Sequence, residues 1–419
     1  MQRYATYLDA LAEQAQAMTD LVSDWVRISS GSHDVNGLGK MAEPVKAAFA
    51  RLGCSVEELP LPPQSTVDSL GLTQRIPLGN ALRFKKRPEA KLQVFLGIHM
   101  DVVYGSPSRG DEQGHISSPS VRIENGIMYA CGAADAKGGL VILLKALETL
   151  EASPFATGLG WEVLLNPDEE LSSPGSAALL AEAASRNHLG LLFEPSLPDG
   201  SLVGMRKGSG NFSAVIRGRA AHAGRDPHLG RNAIHALAHL VVEWVAFGKA
   251  HPSISVNFGK IEGGGPLNRV PDLAIGRFNL RVESTADQTA AEQFIQSLLK
   301  NFGQSHGVTL ELLGGFTSPP KPINTEYQQL LDCVRNCGLK LGLDLKWQSS
   351  GGVSDGNKLA AAGLPNVDTL GAVGGNIHSP DEYLILDSLV ERSRLTALLL
   401  MQLGSGEILW PTTKLGKGV

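Results

Sequence analysis

Residues 92–104 read LQVFLGIHMDVVY. The run 92–98 is short, apolar and bounded by polar residues. That predicts a strand buried on both faces, as in a parallel sheet. His99 ends the run. His99 and Asp101 are two apart, so on an extended chain they point to the same side. One can bind a metal while the other holds it from behind, because a ligating imidazole usually donates its second N–H to a carboxylate. Alone, the pair reads more readily as a strand cap and a turn opener.

The same ending recurs along the chain. In WEVLLNPDEELSSPGS, residues 161–176, a predicted strand (161–166) runs into Asp168, Glu169 and Glu170. Adjacent carboxylates repel, which is costly unless cations lie nearby. In LGLLFEPS, residues 189–196, Glu194 ends another apolar strand. In CGAADAKGGLVILLKALETL, residues 131–150, the apolar spacing from 138 onward is helical, so Asp135 lies in the approach from strand to helix. In VDTLGAVGGNIHSPDEY, residues 367–383, His378 follows a predicted strand (367–373) and a Gly-rich turn. Ligands of open α/β sheets sit outside the carboxyl ends of the strands. His99, Asp135, Glu170, Glu194 and His378 therefore suit a pair of divalent ions sharing one carboxylate, with Glu169 as a general base. Two metals and a base describe a hydrolase. The other histidines lack such placement. His235 and His239, one turn apart on a predicted helix, read as surface or interface.

The motifs HMDVVY, AADAKGG, NPDEE, FEPS, RAAHAG, NRVP, NLRV, GGVSD and IHSPDEY, in that order, resemble those of the two-zinc aminoacylase and carboxypeptidase family. That family includes acetylornithine deacetylase, succinyl-diaminopimelate desuccinylase and bacterial glutamate carboxypeptidase, the last being nearest in wording. The resemblance spans residues 21–404. It implies His99 and Glu194 on one zinc, Glu170 and His378 on the other, and Asp135 bridging, with a cis peptide after Asp135. It implies Asp101 as support for His99 and Glu169 as the base. It also implies that His222 crosses a dimer interface to help hold the oxyanion. Asn268 and Arg281 would contact a substrate carboxylate, and the backbone of Gly351 and Gly352 would meet the substrate. Ala136 departs from the pattern, since many relatives carry a second acid there. Arg206 to Gly210 (RKGSG) and Asn232 are weaker candidates, better read as loop and helix cap.

The chain has 419 residues, 42% of them hydrophobic, and a formal charge of −5. That is enough for a large core and about two domains. Mild acidity argues against nucleic acid as a partner. No run approaches the ~20 apolar residues of a membrane span, and the start of the chain does not read as a signal peptide. Cys54, Cys131, Cys333 and Cys337 are too few for a disulfide framework. A cytoplasmic protein is expected.

Up to residue 203, strands alternate with helices, which implies a mixed sheet flanked by helices. Residues 4–28 are expected to form one helix. Residues 60–80 and 105–120 read as surface loops, and 405–419 as a tail. Between residues 211 and 316 the order becomes strand-helix-strand-strand-helix-strand, a ferredoxin-like βαββαβ module. The expected class is thus an α/β zinc-exopeptidase-like fold. Its catalytic domain (1–204 and 317–419) carries an inserted dimerisation or lid domain (205–316). A final helix over 388–403 is expected to close at Gly404.

The expected activity is di-zinc cleavage of an amide or peptide bond next to a free carboxylate, as in a glutamate-carboxypeptidase-like exopeptidase. The ligand types also accept Co²⁺ or Mn²⁺. The expected substrate is a small molecule or short peptide, and the expected assembly a homodimer joined through the insert. Two alternatives stand beside this reading: an N-acyl-amino-acid deacylase or dipeptidase of the same family, and a non-catalytic metal-binding homologue. The intact Glu169 weighs against the second.

Overall fold

The computed structural model describes residues 1–104 and 120–412. His115 and the expected loop from 105 to 119 lie outside the described residues.

The central sheet has six strands. In spatial order they are Ser55–Leu59, Ala81–Lys86, Gly160–Asn166, Gln93–His99, Leu189–Leu192 and Asn366–Val367. The last four are mutually parallel, and Ala81–Lys86 runs against its neighbours. The parallel strands are buried apart from Gln93 at the start of one, which explains their apolar sequences. Val94, Leu96, Val163 and Leu191 face a core that includes Leu140, Leu144, Leu395 and Leu399, from the helices Gly139–Glu151 and Asp387–Gly404. Phe95, Leu164 and Leu192 face Leu180 and Leu359, from Ala177–Arg186 and Asp355–Ala361. Strand register places the chemistry. His99 pairs with Asn166 and Gly97 with Leu192. His99, the acids after Asn166, and Glu194 therefore emerge together at one end of the sheet.

A second sheet has the order Ile254–Gly263, Leu273–Val282, Gly208–Arg217, Thr309–Ser318, with every pair antiparallel. Helices Ala233–Ala250 and Thr285–His306 cover one face around Trp244, Phe278 and Leu298. This is the βαββαβ arrangement.

Five local expectations are corrected. Residues 4–28 form two helices, Gln2–Ala12 and Ala15–Val26. The apolar stripe runs through both without interruption, so spacing alone hides the break; the turn lets the second helix reach the 133–138 segment. Within the 60–80 loop lies a hairpin, Gln64–Val67 with Thr73–Ile76, whose Val67 is buried against Val215 and Ile275 of the second sheet. The strand expected at 367–373 is regular only over Asn366–Val367 and continues as isolated bridges at Thr369 and Val373. Gly404 is not a left-handed cap: it lies inside its helix. It is glycine because a Cβ there would sit 2.3 Å from the Phe155 carbonyl oxygen. The described part of the tail is docked, with Trp410 donating to the His188 carbonyl at 3.1 Å and Glu407 accepting from Arg3 and Lys340.

The chain enters and leaves the second sheet through a pinned neck. Arg206 and Lys321 exchange main-chain hydrogen bonds at 3.2 and 3.0 Å. Their side chains converge on Asp368, from Arg206 Nε at 2.7 Å and Lys321 Nζ at 2.8 Å. All three residues are buried. No helix among the described residues is long and apolar enough to cross a membrane.

Burial alone would raise the Asp368 pKa, but the charges of Arg206 and Lys321 outweigh it and hold the carboxyl well below the usual range. A depressed folded-state pKa stabilises fully above the unfolded value of ~3.9 and less as pH falls below it. Asp368→Asn strands two buried cations and is expected to cost about 3–5 kcal/mol at pH 7. The gap to wild type should narrow only as pH falls below the unfolded value of ~3.9, where protonation of the unfolded chain erodes the same contribution. Urea unfolding at pH 7 and at about pH 3 measures both; a loss under ~1 kcal/mol at pH 7 would mean that the buried pairing is not what holds the neck.

Candidate metal centre

The strand end at His99, the turn after Asn166, the strand end at Phe193, the segment before Gly139 and the loop before Tyr383 meet in one place. Two groups of side chains form there, His99 with Asp135 and Glu194, and Asp135 with Glu170 and His378. Within each group the candidate ligand atoms lie within 4.8 Å of one another. Asp135 belongs to both. Its Oδ1 is 3.0 Å from His99 Nε2, and its Oδ2 is 3.3 Å from His378 Nε2. Glu194 Oε2 is 3.6 Å from His99 Nε2, and Glu170 Oε2 is 3.1 Å from His378 Nε2.

Hydrogen bonding does not account for this crowding. His99 Nδ1 lies 2.9 Å from the main-chain carbonyl of Asp101, which can only accept, so Nδ1 carries the hydrogen. In the neutral ring Nε2 is then a lone pair, yet it faces two carboxylate oxygens. A cation must lie between them, either a proton or a metal. Glu170 Oε1 is buried without a hydrogen-bond partner among the described residues. One imidazole and two carboxylates per group is a donor set that zinc accepts. The residues fit a metal pair.

The acids and imidazoles of the cluster shift one another's proton affinities. Burial opposes a charged His99, but the Glu194 charge and hydrogen bonds to nearby acids hold its pKa well above the ordinary value. Hydrogen bonds to Asp135 and Glu170 push His378 up to about 10. Burial pushes Glu194 up to about 7 despite His99. It also raises Glu170, and raises Glu169 strongly, helped by the Glu194 charge. A carboxylate of raised proton affinity at this position has the chemistry of a proton acceptor working near neutral pH.

Asp101 has a larger part than sequence spacing shows. Its Oδ1 is 3.4 Å from His99 Nδ1. Its oxygens also accept the main-chain N–H groups of Glu169 and Glu170, each at 3.2 Å, and the Ser32 hydroxyl at 2.7 Å. One buried carboxylate thus ties the His99 strand to the acid turn. Asp168 closes that turn from the other side, accepting from Gly175 and Ser176 N–H. Ser32 and Glu382 went unnoticed in the sequence. Ser32 carries no local signal; Glu382 lies inside IHSPDEY, four residues after His378. The Asp135–Ala136 peptide is cis.

The remaining candidates lie on the second sheet and around it. Arg281 donates from Nε to Asn279 Oδ1 at 3.0 Å and from Nη1 to the Gly351 carbonyl at 3.3 Å. His222 is exposed, and its Nδ1 accepts the N–H of Arg225 at 3.0 Å. The adjacent Ala223 N–H donates to the Asn268 carbonyl. Gly352 donates its N–H to Ser350 Oγ. Neither His222 nor Asn268 has a hydrogen bond or ion pair to the metal cluster among the described contacts. Arg206 is a neck residue, and Asn232 caps its helix by accepting the His235 N–H.

Residues 95–402 match the family described as peptidase family M20/M25/M40. Carboxypeptidase G2 from Pseudomonas sp. (strain RS-16) is 26% identical over 406 residues, spanning 95% of this chain and 92% of that protein. A succinyl-diaminopimelate desuccinylase from Stutzerimonas stutzeri (strain A1501) is 30% identical over 318 residues, spanning 72% of this chain and 80% of that protein. Among solved structures, a tripeptidase from Staphylococcus aureus superposes with a TM-score of 0.71 at 20% identity, covering 93% of this chain and 99% of that one. An M20 family metallo-carboxypeptidase from Sulfolobus solfataricus gives 0.69 at 18%, with the same coverages. The fold is shared with both.

Metal titration followed by mass spectrometry should find two ions per chain, with Glu194→Ala losing one and keeping the Glu170 and His378 ion. A single ion, unaffected by Glu194→Ala, would contradict a shared-carboxylate pair.

Proposed function

The chain belongs to peptidase family M20/M25/M40, a family of amide-bond metallohydrolases, and we propose that it is a di-zinc exopeptidase cleaving the amide next to a free carboxylate. The observation that carries this reading is the division of Asp135 between two imidazoles, together with Glu169 beside them. His99 and Glu194 would hold one ion, Glu170 and His378 the other, and Asp135 both. When bound, the ions would supply Lewis-acid polarisation of the scissile carbonyl and a more acidic water. Co²⁺ or Mn²⁺ suits the same donors.

Glu169 does the proton work. It accepts a proton from the attacking water and returns it to the leaving amine, as a base-turned-acid must. Asp101 keeps it in place through the Glu169 N–H. Arg281 reads the substrate carboxylate: a planar fork of donors matches it in shape and charge. Nη1 contacts Gly351, Nε is held by Asn279, and the rest of the guanidinium has no protein partner among the described contacts. Asn268 adds a neutral donor, and the Gly351 and Gly352 backbone flanks the substrate. The substrate is a short peptide or an N-acyl amino acid. A deacylase or dipeptidase would use the same groups, and a hydrolysis screen over both classes separates them.

The catalytic unit in this reading comprises residues 1–204 and 317–419, and the insert 205–316 joins two copies into a homodimer. The helix Ala233–Ala250 leaves Ile234, Val242 and Val245 exposed in one stripe, and Leu267 is wholly exposed near Asn268. The adjacent strand Ile254–Gly263 is a sheet edge. An unpartnered apolar stripe beside a free edge is a surface that asks for a partner. His222 of the partner subunit would then serve the oxyanion. The four cysteines are unpaired, in keeping with a reducing, cytoplasmic setting.

A free-acid substrate should be preferred to its C-terminal amide, and Arg281→Ala should lose roughly ten- to a hundredfold of that preference, the worth of a charge-assisted hydrogen bond; equal weakening of both substrates would make Arg281 structural. Glu169→Gln should lose at least ~10²-fold in turnover with metals retained. Mixing those chains with His222→Ala chains should restore activity in the heterodimer. No recovery after confirmed subunit exchange would refute action across the interface.

A further inference from the structure

The segment that carries Asp135 is neither strand nor regular helix. Asp135 and Ala136 have non-helical backbone angles (φ −115° and −138°), and residues 133–138 are all buried. The N–H groups leading into Asp135 therefore have no helical partner and no water, and buried donors must be satisfied. Glu382 satisfies them. Its Oε2 accepts the Gly132 N–H at 2.8 Å, and its Oε1 accepts those of Ala134 and Asp135 at 2.9 and 3.0 Å. Its main-chain carbonyl accepts a fourth, from Ala130, at 3.1 Å. The residue is 3% exposed. With both oxygens committed to N–H groups, it stands outside the two candidate ligand groups.

The other end of the connection is the loop bearing His378. Glu382 lies four residues later in the same turn and donates its N–H to the Ser379 carbonyl at 3.3 Å. Ser379 Oγ donates to the Asn376 carbonyl at 2.7 Å, closing the turn around His378, and Cys131 Sγ reaches the Ser379 carbonyl. On one side of Glu382 is the shared carboxylate; on the other is an imidazole that shares it. The helical course resumes beyond Gly138; within 130–137 the Ala133 and Lys137 N–H groups bond to the Ala130 and Gly132 carbonyls, while the Asp135 N–H itself goes to Glu382.

We propose that Glu382 is a positioning residue that sets the distance between the Asp135 carboxylate and the His378 imidazole, by clamping the N–H groups of the Asp135 segment onto the His378 loop. The proposal rests on the two-ion reading of the centre. It assigns Glu382 unequally to the two ions. The ion held by Asp135, Glu170 and His378 depends on Glu382 through two of its ligands. The ion held by His99, Glu194 and Asp135 depends on it through one.

The experiment uses Glu382→Gln and Glu382→Ala in the full-length protein. Zn²⁺ and Co²⁺ binding is titrated calorimetrically, and amide hydrogen exchange of residues 130–137 is followed in metal-free protein by mass spectrometry. Glutamine keeps one acceptor oxygen of two and nearly the same shape, so it folds where alanine fails and tests the clamp on its own. Loss of a group that orients metal ligands typically costs about 10–100-fold in metal affinity. The ion held by Asp135, Glu170 and His378 should fall by that factor in Glu382→Ala and by less in Glu382→Gln. The other ion should change several-fold less, and exchange at 130–137 should accelerate without a matching change elsewhere. Equal loss of both ions, with a general rise in exchange, would make Glu382 a plain stability residue and overturn the proposal. So would unchanged exchange at 130–137, whatever the metal content. A wild type that binds one ion sinks the two-ion reading instead, and the exchange measurement still decides the clamp.

Discussion

Charge crowding at one end of the central sheet is the constraint on which the rest of the structure turns. Asp135 and Glu194 are buried, Glu169 and Glu170 are half-buried, and Asp135, Glu170 and Glu194 are packed around two imidazoles. Withdrawn carboxylates repel and resist ionisation, and burial accordingly raises the pKa values of Glu169, Glu170 and Glu194. Protons relieve the repulsion partly, divalent ions more fully. Acids packed this closely are held by their backbones as well as by their side-chain partners, because free carboxylate side chains would turn outward to water.

The holding is done by carboxylates that are not themselves candidate ligands. Asp101 grips the N–H groups of Glu169 and Glu170, Asp168 grips those of Gly175 and Ser176, and Glu382 grips those around Asp135. In each case an irregular stretch of buried backbone has N–H groups to satisfy and an acid accepts more than one of them. A carboxylate suits this work because it offers two oxygens and several lone pairs within one small group. The irregular backbone delivers the ligand, and the buried acid stabilises that backbone.

The second sheet is joined to the rest of the chain at several places. Arg281 reaches Gly351, the Gln64–Val67 hairpin rests on Val215 and Ile275, and the neck is pinned at Asp368. The neck is charged where the cores on either side are apolar. Arg206 and Lys321 are adjacent across one pair of main-chain hydrogen bonds, so one buried anion orients both crossing strands.

Much of this was legible in the residues alone, for a local reason. Apolar runs that end in His99, Glu170 and Glu194 reveal strands because the period of side-chain exposure is a local property, and ligand chemistry is a property of each residue. The βαββαβ order of the second sheet was readable on the same basis. What failed to show locally was whatever depends on the partner of a segment. The break at Glu13 hides in an unbroken apolar stripe, and the 64–76 hairpin is visible only because a second sheet lies beneath it. The identity of residues near 99, 135, 170, 194 and 378 suggested a metal pair, but their grouping comes from register, with His99 beside Asn166 and Gly97 beside Leu192. The hydrogen bonds of Asp101 and Glu382 span 69 and 250 residues of chain. No periodicity encodes contacts at that separation, so sequence supplied the candidate ligands, while the aim of each side chain was decided only when the sheet and its loops closed on one another.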